Sequence, residues 1–573
     1  MDRRAFLGAA AMAAASPWLA RAAEKAWQPA PNRIREALLE QARFQGYKQG
    51  VSGNKGVAVS THPLATKAAI DAIKAGGNAV DAICAAALMQ TVVEPHMTTI
   101  TGVFSMLYYE AATGKSYYIN GTNARPLNCP DLDLSKMAQE MGTADYVCVP
   151  GYWAGWQGAH DRFGKLSRKR VMAPSIHYAR EGFEIHPFLF GEVFVEIGKI
   201  ASHAEGREVF MPNKTIVQPG DRLYQKRYAD LLEQLSEEGS GYFYHGGFAE
   251  KFSKVIQAAG GSITPEDFAQ YEAFWDEPAK GAYRDYQLLA SPPPDFGATD
   301  VAAVLQILQH ADIGKMGAAS ESPETCHLMF KALDEVWADT LQANHSGEPQ
   351  HWQQRLDPDL AARRYEKLSK GPARSPSDVL KVAANISQQN IEGVTTGSNH
   401  LSVVDGEGNV ATVLHSCMAL PWANGLFIDG TSICGSGVHY SSGMPERGAH
   451  FHSRIVPLMV LKDGKPVIAC GSPSVSLYEN LVQNVTNIID CGMSIEESVN
   501  RPRFGGSWGM PARLIEQDMG APVISALMEK DDVALDIVNP RQWLHGSFEG
   551  IHIQDGMTHA CGDPRRTAVA MAV

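Results

Sequence analysis

One stretch in the last third of the chain restricts the possible folds more than any other. Residues 395–416 read TTGSNHLSVVDGEGNVATVLHS, in which two apolar alternations flank a glycine-containing turn. This alternation with a period of two predicts a β-hairpin. Three small hydroxyl residues, Thr395, Thr396 and Ser398, precede the first strand. Hydroxyl residues in that place usually form turns, but a second, chemical interpretation exists.

A serine or threonine hydroxyl attacks an amide only when a base accepts its proton. The usual base is histidine, but a residue at a chain terminus carries its own α-amine, whose unperturbed pKa of about 7.7–8.0 lies near neutral pH. Cleavage of the peptide bond before Ser398 would expose such an amine at the head of the first strand. The partner strand would then fix its position, with Ser416 close to the new amine. The stretch is therefore either a turn or a nucleophile made by self-cleavage.

The rest of the chain shows runs of helices and runs of strands rather than βαβ units. Two helices are predicted within 63–95, and a hairpin is predicted at 104–121. Residues 150–320 have a mainly helical pattern. The last third is predicted to hold strands and then two helices, at 400–405, 410–416, 424–434, 454–462, 466–470, 474–491 and 494–500. This order predicts an α+β fold in which helices cover stacked antiparallel sheets.

Charge and composition exclude several classes of protein. The net charge is −13 and no basic stripe is present, so nucleic acid is not an expected partner. The nine cysteines form no C-x-x-C pair, and no H-E-x-x-H occurs; HFH at 450–452 is only a weak candidate for metal ligands. No G-x-G-x-x-G or phosphate-binding loop lies in a suitable setting. We therefore expect neither a cofactor nor a metal ion.

The N-terminus has the features of an export signal. Arg3-Arg4 precedes an alanine-rich apolar stretch, and Ala20-Arg21-Ala22 is a small-x-small cleavage site. The paired arginines are typical of twin-arginine signals. The apolar stretch is too short for a membrane span, and no other segment has eighteen consecutive apolar residues. We predict a signal peptide at 1–22, a periplasmic location in a bacterium, and no membrane span in the mature chain.

Ten further motifs are spread over nearly the whole mature chain. They are GGNAVDAICAAAL (76–88), VVEPH (92–96), VPGYWAGW (149–156), APSIHYAREGFEI (173–185), GGSITPEDFAQY (260–271), SPPPDFG (291–297), HLSVVDGEGNVATVL (400–414), LKDGKPVIACGSPS (461–474), NRPRF (500–504) and GDPRR (562–566). These motifs resemble, in the same order, those of the γ-glutamyltranspeptidase family of N-terminal-nucleophile hydrolases. A single match of this kind is weak, whereas ten in the family's order are specific.

The resemblance implies an αββα sandwich and a precursor that cuts itself into a large subunit, 23–397, and a small subunit, 398–573. In the family a Thr heads the small subunit, in a Thr-Thr-His-x-Ser-Val-Val-Asp pattern. Anchoring the later residues of this pattern places Ser398 at the nucleophile position. A two-residue insertion would favour Thr395 instead, and a one-residue shift would favour Thr396.

The same register carries over further parts of the family's machinery. Ser416 lies where the family has a Thr that assists the cut. The family's oxyanion hole is a Gly-Gly after Gly-Ser-Pro, and here Ser474 and Val475 follow Gly471-Ser472-Pro473. The donors in such a hole are backbone N–H groups, so it remains possible with other side chains.

The resemblance also implies a changed substrate pocket. Thr122 takes the position of the family's Arg that binds the α-carboxylate of the γ-glutamyl group, and Met418 takes that of an orienting Asn. The Asp that binds the α-amino group corresponds to Val438 or His439. Each lost hydrogen bond to a charged group is worth roughly 1.5–3 kcal/mol, so a γ-glutamyl donor is expected to bind poorly.

Other residues could contact a different donor. The family's paired Ser corresponds to Ser453 and Arg454, and Arg454 or Arg125 could hold a carboxylate from another direction. Met418, Trp422 and Tyr440 would make the pocket more apolar, although each also suits a core.

The sequence thus predicts a self-processing amidohydrolase or acyltransferase that forms an acyl-enzyme on a small-molecule amide or peptide. The predicted donor is not a plain γ-glutamyl compound. Two alternatives stay open: a genuine γ-glutamyltranspeptidase acting on glutathione, and a non-catalytic relative that remains one unprocessed chain.

Overall fold

A computed structural model describes most of the 573-residue chain. The described residues are 46–133, 140, 142–346, 351–374, 397–418, 422–435, 440, 443–506, 512–530 and 532–573. The predicted signal peptide, the alternative nucleophiles Thr395 and Thr396, and the pocket candidates Val438 and His439 lie outside them.

Helices occupy much of the first two thirds of the described chain. They are α1 Pro63–Lys74, α2 Ala79–Val93, α3 Tyr152–Phe163, α4 Arg168–Glu181, α5 Pro187–Ile200, α6 Ala204–Phe210, α7 Lys226–Glu238, α8 Ser240–His245, α9 Gly247–Ala258, α10 Pro265–Ala269, α11 Gly297–Leu308, α12 Ile313–Met316, α13 Pro323–Ser346, α14 Trp352–Arg355, α15 Pro358–Lys370, α16 Leu477–Ile489, α17 Ile495–Asn500 and α18 Ala521–Met528. Short 3₁₀ turns lie at Ala144–Tyr146, Gln517–Met519 and Trp543–His545.

The strands come from both ends of the chain and from its middle. They are β1 Val51–Gly53, β2 Gly56–Ser60, β3 Val103–Glu110, β4 Lys115–Gly121, β5 Phe183–Glu184, β6 Arg222–Leu223, β7 Phe274–Asp276, β8 Ala279–Tyr283, β9 Tyr286–Ala290, β10 Ser398–Asp405, β11 Val410–Ser416, β12 Phe427–Ile428, β13 Thr431–Ser432, β14 Leu458–Lys462, β15 Lys465–Cys470, β16 Phe504–Gly505, β17 Arg513–Glu516, β18 Leu535–Val538, β19 Ile551–Gln554, β20 Met557–Ala560 and β21 Val569–Ala572.

Two seven-stranded antiparallel sheets form the centre of the fold. The first sheet has the order β21-β2-β10-β11-β3-β4-β7, and the second has the order β1-β20-β19-β15-β14-β9-β8. The predicted hairpin β10–β11 is the middle of the first sheet, with Ser398 opposite Ser416. Its two neighbours, β2 and β3, come from the start of the chain, so the hairpin is buried on both edges.

Alternate residues of the hairpin face two different cores, as the period of a strand requires. Val404 and Val410 pack with Met459 and Ile551 of the second sheet, so the two sheets are stacked face to face. On the other face, residues of the hairpin join the large core formed with the helices. Helix α2, whose fifteen residues are all buried, lies against that face.

The outer face of the second sheet is covered in the same way. Apolar residues of β9, β14 and β15 form a core with helices α11, α13 and α16. The order of layers is therefore helices, sheet, sheet, helices, which confirms the predicted αββα arrangement. Among the described residues, no helix combines the length and hydropathy needed to cross a membrane.

Several local predictions are confirmed and some are wrong. Asn78 caps α2, since its side chain accepts hydrogen bonds from the N–H groups of Val80 and Asp81. The region 150–320 is mainly helical, as predicted, but the strands β7, β8 and β9 at 274–290 were not predicted. Their alternation is short. β7 pairs with β4 and β9 with β14, both distant in sequence, and β8 pairs with β9. The predicted strand at 424–434 is reduced to the two-residue pair β12–β13.

Candidate active site

Ser398 begins β10 at the edge where the first sheet meets the loops, and 4% of its surface is exposed. Its backbone is paired with Ser416, the last residue of β11. Ser398 Oγ lies 2.9 Å from Ser416 Oγ. The structure therefore brings together the two hydroxyl residues that the sequence analysis singled out.

The hydrogen bonds of Ser416 fix the direction of its proton. Its hydroxyl donates to the carbonyl oxygen of Gly397, the residue before Ser398. It accepts a hydrogen bond from the backbone N–H of Met418, at 2.8 Å. A hydroxyl has one proton to donate, so the contact between the two serines must be donated by Ser398. Ser416 thus polarises the Gly397 carbonyl and accepts a hydrogen bond from the Ser398 hydroxyl.

Gly397 is held so closely that no larger residue fits. A Cβ atom there would lie 2.6 Å from Cys417 Sγ and 2.6 Å from the carbonyl oxygen of His96. Contacts below 3.0 Å require the neighbours to move. The absence of a side chain therefore allows the Gly397 carbonyl to reach Ser416.

The opposite face of β10 is anchored by a buried arginine from the C-terminal end of the chain. Arg566 donates from Nη1 to the carbonyl oxygen of Ser398 at 3.0 Å and to Asn399 Oδ1 at 3.3 Å. Thr61 also donates to Asn399 Oδ1, at 3.0 Å. Burial lowers the pKa of the Arg566 guanidinium, whereas nearby carboxylates, Glu94 first among them, raise it. Arg566 is the last residue of the GDPRR motif, and no sequence pattern indicated its contact with Ser398.

His400, two residues after Ser398 on the same face of β10, is a poor proton acceptor. Burial, followed by the effect of His415, lowers the pKa of His400 to about 3. His400 Nε2 lies 2.9 Å from Thr412 Oγ1. A base for Ser398 is therefore better sought in its own α-amine after cleavage than in this imidazole.

The segment after β15 crosses β10 at His400. A Cβ atom on Gly471 would lie 2.2 Å from His400 Cδ2, so the backbone there is in contact with the imidazole. The hydroxyl of Ser474 points to the carbonyl oxygen of Leu544 at 3.4 Å. Within the described part of the chain, no hydrogen bond uses the backbone N–H of Ser474 or Val475.

Ser474 has a backbone φ of 84°, in the region that favours glycine. We expect Ser474→Gly to raise the free energy of unfolding by about 1 kcal/mol, because the strain released is of order 1–3 kcal/mol and the added chain entropy costs roughly 0.5–1 kcal/mol. Urea denaturation of an uncleaved Ser398→Ala background measures this on a single chain.

Ser474→Ala is the matched control, since it keeps a Cβ atom at the same φ. It should show no gain. An equal gain for Ala and Gly would show that the side chain of Ser474, and not its backbone, is the source of the strain.

Thr122 lies at the same edge of the first sheet as Ser398. Thr122 follows β4, and two strands, β11 and β3, lie between β4 and the strand of Ser398. Ser416 of β11 pairs with Val103 of β3. At about 4.8 Å a strand, Thr122 is about 14 Å from Ser398. Its hydroxyl donates to Asn120 Oδ1 at 2.7 Å, and its side chain is fully buried.

Met418 contributes to the site through its backbone, whereas Arg125 binds a nearby loop through its side chain. The side chain of Met418 packs in the core beside the second sheet, while its N–H orients Ser416. The Arg125 guanidinium contacts Cys129 Sγ at 3.1 Å and donates to the Pro445 carbonyl oxygen at 2.9 Å. Arg125 therefore fixes the loop that contains Pro445, and its role in binding a substrate stays a prediction.

Ser453 and Arg454 lie on the segment that leads into β14. Ser453 is bridged to Asp295, and the Arg454 guanidinium lies 5.6 Å from the centre of the Trp337 ring. Burial lowers the pKa of Arg454. Both side chains are almost fully buried, so a substrate would reach them only through the interior of the site.

Asp295 is a buried carboxyl that the sequence analysis missed. It accepts hydrogen bonds from Ser105 Oγ at 2.9 Å and Asn120 Nδ2 at 3.0 Å, and from the Tyr118 hydroxyl. Burial raises the pKa of Asp295 to about 7. The hydrogen bonds of Asp295 join the segment 291–296 to β3 and β4 beneath Thr122. No local sequence signal distinguishes Asp295 from an ordinary loop aspartate.

Comparison with known proteins finds similarity over most of the chain. The family model described as gamma-glutamyltranspeptidase matches residues 65–434 and 435–573. The chain is 30% identical over 498 residues to the acylase ACY 1 proenzyme of Pseudomonas sp. strain SE83, covering 82% of this chain and 86% of that protein. It is 29% identical over 501 residues to the glutathione hydrolase proenzyme of Bacillus subtilis strain 168, covering 82% and 84%.

A solved structure confirms the fold. Cephalosporin acylase from Bacillus halodurans superimposes with a TM-score of 0.79 at 21% identity, over 92% of this chain and 98% of that one.

Proposed function

Because the chain belongs to the γ-glutamyltranspeptidase family, a family of hydrolases and transferases that act on amide bonds, we propose that it is a self-processing amidohydrolase or acyltransferase with Ser398 as its nucleophile. The observation that carries this proposal is the set of contacts among Ser398, Ser416 and the Gly397 carbonyl. Relatives of both kinds, an acylase and a glutathione hydrolase, are described as proenzymes.

In the precursor, Ser398 Oγ attacks the carbonyl carbon of Gly397, and the peptide bond between them breaks. The proton of the hydroxyl passes to the departing nitrogen, which leaves an ester on Oγ and a free amine on Ser398. Water then hydrolyses the ester and releases the carboxylate of Gly397. The products are a large subunit, 23–397, and a small subunit, 398–573.

In the mature enzyme, the new α-amine accepts the proton of Ser398 Oγ as it attacks an amide donor. A positioned base of this kind contributes on the order of 10²–10⁴ in rate. The N–H groups of Ser474 and Val475 are the proposed donors to the oxyanion. The acyl group then passes from Ser398 to water or to an amine.

The donor is proposed to be a small amide or peptide without a plain γ-glutamyl group. Thr122 has no charge, and its hydroxyl is used by Asn120. Met418 offers the site its backbone N–H rather than an amide side chain. These features support an acylase-like specificity over a transpeptidase acting on glutathione.

A series of anilides tests this specificity. Removal of the amino group from γ-glutamyl gives glutaryl, which keeps the five-carbon acyl chain. Removal of the carboxyl group as well gives butyryl, which is one carbon shorter. We expect kcat/KM for the γ-glutamyl anilide to be no higher than for the butyryl anilide, because the charged partners that would favour it are missing.

A preference for the γ-glutamyl anilide of about a hundredfold or more would overturn the donor proposal and favour the glutathione alternative. Ser398→Ala, assayed beside the wild type, identifies turnover that comes from contaminants. The third alternative, a non-catalytic relative, requires one uncut chain with no turnover of any of the three anilides.

We also propose export by the twin-arginine route to the periplasm, on the basis of Arg3-Arg4 and the cleavage motif Ala20-Arg21-Ala22. Fractionation of cells that express the full chain tests this. Replacement of both arginines by lysine should retain the protein in the cytoplasm, uncut at the signal site.

A further inference from the structure

Among the described residues, two side chains approach the carbonyl oxygen of Gly397. Ser416 donates a hydrogen bond to this oxygen, and Cys417 Sγ lies 3.7 Å from it, within the reach of a thiol donor. The same thiol lies 4.0 Å from the carbonyl oxygen of His96, which is the longer contact. The proposed function uses Ser416 and leaves Cys417 without a role.

We propose that Cys417 is a second donor to the oxyanion that forms on Gly397 during self-cleavage, an inference that rests on the proposed function. When Ser398 Oγ bonds to the Gly397 carbonyl carbon, the electrons of the C=O double bond move to the oxygen. Ser416 and Cys417 then both donate hydrogen bonds to it. The thiol keeps its proton throughout, and the proton of Ser398 goes to the departing nitrogen.

A carbonyl oxygen has two lone pairs, and the two side chains supply one donor for each. A thiol is a weak donor to a neutral carbonyl, but a hydrogen bond strengthens when its acceptor carries charge. The contact at 3.7 Å is therefore expected to matter more in the transition state than in the precursor. This difference is the property that makes a group catalytic rather than structural.

The surroundings of Cys417 hold it in position. Its N–H donates to the Met97 carbonyl at 3.2 Å, and its own carbonyl accepts a hydrogen bond from Cys434 Sγ. A Cβ on Gly397 would lie 2.6 Å from Cys417 Sγ, so glycine is what permits the approach of the thiol. Contacts from three separate segments thus hold the Cys417 sulfur close to the Gly397 carbonyl.

Cell-free synthesis of the full chain, with gel samples taken over time, gives the first-order rate constant of self-cleavage. Cys417→Ala and Cys417→Val both remove the donor, Ala with a smaller side chain than Cys and Val with a larger one. Cys417→Ser keeps a donor. Cys326 is fully buried in the core between the second sheet and its helices, and Cys326→Ala is the matched control.

We expect Ala and Val at position 417 to lower the rate constant about tenfold, or about 1.4 kcal/mol. The rate constant of Cys417→Ser should stay within about threefold of the wild-type value, and that of Cys326→Ala should equal the wild-type value. If one of these two variants fails to fold, the other still measures the effect of removing the thiol on the rate of self-cleavage. Wild-type rates for Ala and Val, or an equal loss for Ser, would overturn the inference.

The wild-type sample separates this inference from the proposed function. The mass of its small fragment shows whether the cut lies between Gly397 and Ser398. If the wild type is uncut or cut elsewhere, the proposed function fails. If it is cut there and the Cys417 variants are unaffected, only the role of the thiol fails.

Discussion

Ser398→Ala is expected to leave the protein as one uncut chain without amidase activity. The hydroxyl that attacks Gly397 is removed, so neither the ester nor the new α-amine can form. Since the same residue is the proposed nucleophile of the mature enzyme, both activities should fall together, to the level of a blank reaction. No other variant of the chain is expected to have as large an effect.

Intact mass spectrometry checks this directly. The wild type should give fragments of roughly 375 and 176 residues, counted from Ala23 and Ser398. Ser398→Thr keeps a hydroxyl and should still be cut. Thr395→Ala and Thr396→Ala test the two alternative nucleophiles, and both should mature normally.

A different result would move the scission point. If Ser398→Ala still gives two fragments and Thr395→Ala does not, the insertion register is correct and Thr395 is the nucleophile. If the wild type remains a single chain and still hydrolyses amides, self-cleavage is not the source of the base, and the mechanism proposed for Ser398 is wrong.

Ser416→Ala is expected to slow self-cleavage by about 10²–10³, the usual effect of losing one donor to an oxyanion. The structure gives the reason. Ser416 donates to the carbonyl of Gly397 and accepts a hydrogen bond from Ser398, so its loss removes both the polarisation of the carbonyl and the orientation of the nucleophile. The precursor should accumulate in the first hours after synthesis.

Two variants control for this result. Ser416→Thr keeps the hydroxyl and should mature within about tenfold of the wild type. Ser402 is a buried hydroxyl residue on the same face of β10, bonded to Thr412 and to the Glu549 carbonyl. Ser402→Ala should leave maturation at the wild-type rate. Normal maturation of Ser416→Ala would show that Gly397 is activated by another group.

Much of the framework could be predicted from local patterns. The hairpin at 398–416, the capped helix α2 and the hairpin β3–β4 have strong periodicity, and each lies within a few residues of its predicted bounds. Strands β7 to β9 were missed because short strands inside a helical region lack such a signal. β7 and β9 pair with strands that are remote in sequence, β4 and β14, and β8 pairs with its neighbour β9.

The site shows the same division. Ser398 and Ser416 could be singled out because both lie in one hairpin, eighteen positions apart, where register follows from the turn. Arg566 holds the backbone of Ser398 from 168 positions away. Asp295 reaches the first sheet from a loop 190 positions after Ser105. The periodicity of a helix or a strand cannot predict contacts between residues so far apart in the sequence.

By itself, then, the sequence determined the family and the layered fold class, and it singled out the segment that we propose holds the nucleophile. The tertiary structure decided which atoms meet: the proton of Ser416 on the Gly397 carbonyl, the thiol of Cys417 beside it, and Arg566 behind Ser398. The reason is physical. Backbone periodicity fixes direction within a strand, whereas hydrogen bonds between distant segments exist only once packing has brought those segments within about 3 Å.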